Sequence, residues 1–228
     1  MFFYFDPTYI FVLIGAMLMM FAQAKVSRAY SKYGRVRNTR GMSGAEVARQ
    51  ILAMHHIQDV EVEQTGGHLS DHYDPTHKKV RLSREIYEGT SVASLAVAAH
   101  ECGHVIQHAT GYGFLKFRSA LLPVANLGSK IGWVAIFIGF ISGELKIVYI
   151  GIACLALMLL FQIVTLPVEF DASGRALRIL EGNQFLSSNE TGMAREMLQA
   201  CALTYIASVA STILSLLRLF LLASHRDN

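Results

Sequence analysis

The chain has 228 residues, 53% of them hydrophobic and only 16% charged, with a formal net charge of +3. That balance excludes an ordinary soluble domain, in which about a quarter of the residues are charged. It also excludes a nucleic-acid-binding surface, because acids nearly match the bases and no aromatic or glycine-rich RNA motif accompanies them.

The first apolar segment covers 9–24 and extends upstream through Phe2, Phe3 and Phe5. A signal peptide would place basic residues before this run. Here Lys25 follows it, so the segment reads as a retained anchor. Three further segments, 120–141, 147–166 and 203–223, are also long enough for a bilayer, which needs about 20 mostly apolar residues per helix. Lys130 and Arg218 fall within two of them and need either a partner or a route to the interface. Four spans put both termini on one side and the polar stretches 25–118 and 167–202 together on the other. Those stretches hold 13 and 3 of the 20 Lys and Arg residues, which by the positive-inside rule makes that side the cytoplasm. Lys25, Arg28, Lys32, Arg35, Arg37 and Arg40 crowd directly after the first span and suit anionic lipid headgroups. Cys102, Cys154 and Cys201 form neither a C-x-x-C pair nor a disulfide framework, in keeping with a reducing compartment.

Within the first polar stretch, Ser43-Gly44-Ala45-Glu46 is a capping box that opens a helix running to about Met54. The alternating Val60-Glu61-Val62-Glu63 predicts a strand, ended by the turn Thr65-Gly66-Gly67. The stretches 68–73 and 79–83 predict two more, completing a small antiparallel sheet. Its free edge is a natural place to hold an extended peptide. A helix follows, capped by Thr90 or Ser91 and stopped near Gly111.

That last helix carries His100-Glu101-Cys102-Gly103-His104, an H-E-x-x-H pattern. Residues four apart share a helix face, so both imidazoles can reach one metal ion, with Glu101 beside its open position. Cys102 points off that face and reads as a packing residue. Gly103 lowers helix propensity, which points to close approach of another backbone or of substrate. Catalytic zinc takes three protein ligands and leaves a site for water. His108 is a poor third ligand, because it lies about 12 Å from His100 along the axis at 1.5 Å per residue. The remaining histidines, His55, His56, His68, His72 and His77, read as loop or surface residues. Glu169 follows the third span and can supply a carboxylate from a second helix. Read alone, it is equally an interfacial Glu favoured at a helix N-terminus by the helix dipole.

Leu69-Ser70-Asp71-His72-Tyr73-Asp74-Pro75, the H-E-x-x-H segment and Pro167-Val168-Glu169-Phe170-Asp171-Ala172-Ser173, behind a short N-terminal anchor, resemble the YugP-type neutral zinc metallopeptidases of bacterial membranes. The likeness runs over nearly the whole chain. More distantly the chain is similar to the HtpX- and CAAX-prenyl-type membrane proteases, which are gluzincins. The resemblance implies one zinc ion held by His100, His104 and Glu169, with Glu101 as general base. Those distant relatives carry E-x-x-x-D, whose Asp orients the first motif histidine. Here that place is Ser173, and Asp171 is the alternative orienting residue.

The fold expected is mainly α: a membrane protein of about four transmembrane helices with a small α+β, zincin-like cytoplasmic catalytic region. Its divisions are an anchor (1–24), a catalytic region with the sheet and the H-E-x-x-H helix (25–118), a transmembrane hairpin (119–166), a helical region with the third ligand (167–202) and a C-terminal span and tail (203–228). The expected activity is peptide-bond hydrolysis at the cytoplasmic face of a bacterial inner membrane, on peptides or membrane proteins. Tyr73, His72 and Tyr205 are candidate donors to the oxyanion, and Arg175 pairs with Asp171 or steadies the site. The alternative is a zinc-binding membrane scaffold or adaptor without turnover. Such a site has no use for Glu101, and structural zinc prefers four closed ligands.

Overall fold

The computed structural model describes residues 6–227, with side chains through His225, so Phe2, Phe3 and Phe5 lie outside the described residues. Among the described residues, seven helices and three strands follow in the order α1 (Tyr9–Tyr33), α2 (Gly44–Met54), β1 (Glu61–Thr65), β2 (His72–Asp74), β3 (Lys79–Ser83), α3 (Arg84–Tyr87), α4 (Val92–Ala109), α5 (Gly113–Ser142), α6 (Leu145–Gly182) and α7 (Ser188–Asp227). The chain is mainly α, and α1, α5, α6 and α7 are each long and apolar enough to cross a membrane. These helices outrun the apolar segments that mark them. Pro167 does not open a new helix but sits inside α6, so Glu169 is an interior helical residue. Proline removes one N–H and one hydrogen bond there, and the rest of the helix carries on.

The contacts divide the chain into two compact units, one of 1–23, 117–166 and 203–228, the other of 24–116 and 167–202. In the first unit, small residues let α5 and α6 meet closely. A Cβ on Gly132 would lie 2.9 Å from the Gly151 carbonyl oxygen, and one on Gly128 3.0 Å from that of Cys154. Close backbone approach of this kind is how apolar helices associate where lipid removes the hydrophobic drive between them. Arg218 finds its partner in this unit, donating to Asp6 Oδ2 at 3.1 Å with its guanidinium over the Tyr9 ring.

The second unit is built around α4. Val47, Ile51 and Leu52 of α2, Val80 and Leu82 of β3, Ile86 of α3, Leu95, Ala99, Cys102 and Val105 of α4, and Ala176, Leu177 and Leu180 of α6 form one buried cluster. Cys102 is fully buried, and its thiol donates to the Ala48 carbonyl oxygen; burial pushes its pKa up. It is a packing residue here. The capping box of α2 is present: Glu46 N–H donates to Ser43 Oγ, and Ser43 N–H donates to the Glu46 carboxylate. Ser43→Ala is expected to cost about 1 kcal/mol of stability, read as a lower midpoint in denaturant with an unchanged slope.

The sheet differs from the expected antiparallel arrangement. Its order is β1-β3-β2, with β1 parallel to β3 and β2 antiparallel to it. Thr65 belongs to β1 rather than to a turn, and β2 is confined to His72–Asp74. The reason is the long β1–β2 connection, with Gly67 and Leu69 at positive φ, which carries the chain across so that β3 lies in the middle. A four-residue turn, Pro75 to Lys78, then reverses β2 into β3, with Asp74 Oδ1 accepting from the Thr76 and His77 N–H groups, an Asx-type turn. Charged pairs brace the sheet, with Arg81 held between Glu63 and Asp74.

Candidate metal centre

Ser91 starts α4, its Oγ accepting from the Ser94 N–H, and Gly111 at φ +65° ends it beyond the Thr110 cap. The helix therefore holds His100 and His104 one turn apart in its middle, where their rings meet edge to face with centroids 4.8 Å apart. Helix α6 runs alongside. A Cβ on Gly103 would lie 2.6 Å from the Ala172 carbonyl oxygen, so the glycine between the two histidines is where the α4 and α6 backbones touch. Substrate is not needed to explain it.

That contact brings Glu169 to the histidines. His100 Nε2 is 3.3 Å and His104 Nε2 3.5 Å from Glu169 Oε2. The three offer donor atoms within 4.8 Å of one another, and among the described residues no other group of three or more His, Cys, Asp or Glu does so. Zinc bonds of about 2.0–2.1 Å in tetrahedral array set neighbouring donors roughly 3.4 Å apart, so the observed spacing fits zinc. The Glu169 side chain is 4% exposed, whereas the imidazoles are 15% and 12% exposed, which leaves the histidine side of the cluster accessible. Burial works against protonation of His104, yet Glu169 and Glu101 together hold its pKa above the ordinary imidazole value. A pocket with that electrostatic bias favours a cation.

The remaining nitrogens are engaged elsewhere. His100 Nδ1 lies 3.1 Å from Ser173 Oγ, and His104 Nδ1 lies 3.0 Å from Gln107 Oε1. Asp171 does not act on His100. It accepts from Gln107 Nε2 and from Arg175 Nε, so its reach to the histidines passes through Gln107. Sequence reasoning missed Gln107; the signal was its place three residues after His104, on the same helix face.

Glu101 is buried on α4. The Asp71 carboxyl has its pKa raised mainly by burial, against the opposing bonds from Ser83, with the Glu101 carboxylate adding to the rise. Asp71 accepts from both the backbone N–H and the hydroxyl of Ser83. Of the proposed oxyanion donors, Tyr73 has its hydroxyl 2.8 Å from His108 Nδ1, and His72 is exposed with Nδ1 donating to the Ser70 carbonyl. His108 is thereby occupied outside the cluster. Tyr205 lies on α7 in the other unit.

Four long apolar helices and a two-histidine, one-glutamate donor set define a metal-binding membrane protein. The chain belongs to the family described as “Putative neutral zinc metallopeptidase”, whose model matches residues 8–224. It is 41% identical over 211 residues to the “Putative membrane protease YugP” of Bacillus subtilis (strain 168), covering 92% of this chain and 94% of that protein. No solved structure matches it. The cofactor of this family is zinc, and the His-His-Glu cluster is a fitting site for it.

Proposed function

We propose that the protein is a membrane-anchored zinc metalloendopeptidase of the gluzincin type, with His100, His104 and Glu169 as ligands and Glu101 as general base. The observation that carries this reading is the convergence of the three donors on one point, with Glu101 buried on the same helix between the two histidines. Zinc in such a site acidifies a bound water and polarises the scissile carbonyl. The residues divide the remaining work. His100, His104 and Glu169 hold the ion with an accessible side. Glu101 takes the water proton and delivers it to the leaving amine. Asp71 is a poor competitor for that role because Ser83 already occupies its oxygens. His72 and Tyr73 on β2 are the candidates for donating to the developing oxyanion.

Segments 25–118 and 167–202 form the catalytic region, and 1–24, 119–166 and 203–228 anchor it. The distribution of Lys and Arg supports a cytoplasmic face for the site, and peptides or membrane-protein segments at that face are the substrates. The bilayer is a constant partner.

The test is the purified protein in lipid nanodiscs. One zinc per chain is expected, with cleavage of casein or a quenched peptide that a chelator abolishes and zinc restores. One zinc per chain with no cleavage of either substrate favours the scaffold reading and overturns the enzyme.

A further inference from the structure

The three hydrogen bonds of Gln107 have directions that are not free. The side chain is fully buried, and buried polar atoms must find partners. Its amide nitrogen has two protons, and both have acceptors at 2.8 Å: the Val168 carbonyl oxygen and Asp171 Oδ2. Asp171 cannot turn away, because Arg175 Nε holds the same oxygen at 2.6 Å. The nitrogen of Gln107 therefore faces α6 and its oxygen faces His104. A carbonyl oxygen only accepts, so the proton of a neutral His104 sits on Nδ1. The lone pair is left on Nε2, the atom that faces Glu169. His100 has no such constraint from Ser173, since a hydroxyl donates or accepts equally well.

We propose that Gln107 is a positioning residue: held by Val168 and by the Asp171–Arg175 pair, it locks the tautomer and ring orientation of His104, so that this nitrogen is aimed before a metal arrives. The inference rests on the reading of His104 as a ligand. It makes the two histidines unequal, His104 being preset by a buried amide relay and His100 tuned by a single hydroxyl. Partners of this kind matter to metal affinity by about 10- to 100-fold.

Gln107→Met fills the space without an acceptor, and Gln107→Glu keeps an oxygen towards His104. Zinc dissociation constants come from chelator competition on the full-length protein in nanodiscs, and cobalt(II) absorption bands report the ligand field. Unfolding of the metal-free protein reports the structural share. The expected result is an affinity about 10- to 100-fold weaker in Gln107→Met, with shifted cobalt bands. Gln107→Glu should recover most of that affinity even though metal-free stability falls in both variants. Affinity in Gln107→Met within about threefold of the parent, or Gln107→Glu as weak as Gln107→Met, overturns the proposal. Should both variants fail to fold, Asp171→Ala decides it. Loss of that partly exposed side chain leaves the Gln107 amide held by the Val168 carbonyl alone, so zinc should weaken several-fold with altered cobalt bands, and unchanged binding and bands overturn the role. A parent protein that binds no zinc sinks the site reading itself, a result distinct from any of these.

Discussion

Glu101→Gln is expected to abolish peptide hydrolysis while leaving zinc at one per chain. The substitution changes neither the length nor the volume of the side chain, and Glu101 lies buried in the middle of α4. The helix, its Ser91 cap and the packing of Cys102 against α2 are therefore untouched. What is lost is the ability to accept a proton, because a carboxamide oxygen is far less basic than a carboxylate. General-base catalysis contributes about 10²- to 10⁴-fold, and no neighbour can stand in. The Asp71 carboxyl, which feels the Glu101 charge, is committed to Ser83. The measurement pairs metal analysis with kcat/KM on a quenched peptide. Hydrolysis within tenfold of the parent removes Glu101 from the chemistry and leaves the metal site standing. Loss of zinc together with activity would instead show Glu101 to be structural.

The parts of the molecule readable from sequence are those governed by local rules. Ser43 and Glu46 meet across three residues, so the capping box was legible, as were the Ser91 start and the Gly111 stop of α4. Apolar runs of about 20 residues marked the four long helices. Lengths beyond those runs were not legible, because α6 continues past Pro167 by packing Ala176, Leu177 and Leu180 into the core rather than by composition. The topology of the sheet is not legible in the sequence, since the three strands reveal their alternation locally but their partners only through the long connection after β1. The proximity of His100, His104 and Glu169 was foreseeable in part, because four-residue spacing is local. Glu169 needed either the family likeness or the tertiary contact that places it. Ser173 stands where the distant relatives carry their orienting Asp, so the family likeness already marked its position beside His100, whereas Gln107 needed the tertiary contact. The three-residue spacing puts Gln107 on the face of His104, but its role is legible only once the opposite helix shows what else it touches.

That opposite helix gives Gly103→Ala an outsized expected effect. In an isolated helix the change is favourable by about 1 kcal/mol. Here the new Cβ would sit 2.6 Å from the Ala172 carbonyl oxygen, 3.1 Å from its Cα and 3.2 Å from its carbonyl carbon. All three are backbone atoms, so no side-chain rotation relieves the clash, and α4 and α6 must separate by several tenths of an ångström or more. Overpacking of this kind costs about 1–3 kcal/mol, so the net loss of stability is modest after the propensity gain. The metal site is less forgiving. Glu169 is one turn before Ala172 on α6 and the histidines flank Gly103 on α4, so the same displacement opens the donor set directly. Metal–ligand distances tolerate only about ±0.2 Å. Gly103→Ala is therefore expected to keep the fold, lose at least about 100-fold in zinc affinity and lose hydrolysis with it. Gly103→Val is expected to go further and unfold the catalytic unit. Zinc titration alongside denaturant unfolding separates the two losses. A Gly103→Ala protein that holds zinc as tightly as the parent would mean that α4 and α6 part without moving the ligands, and that the glycine serves packing alone.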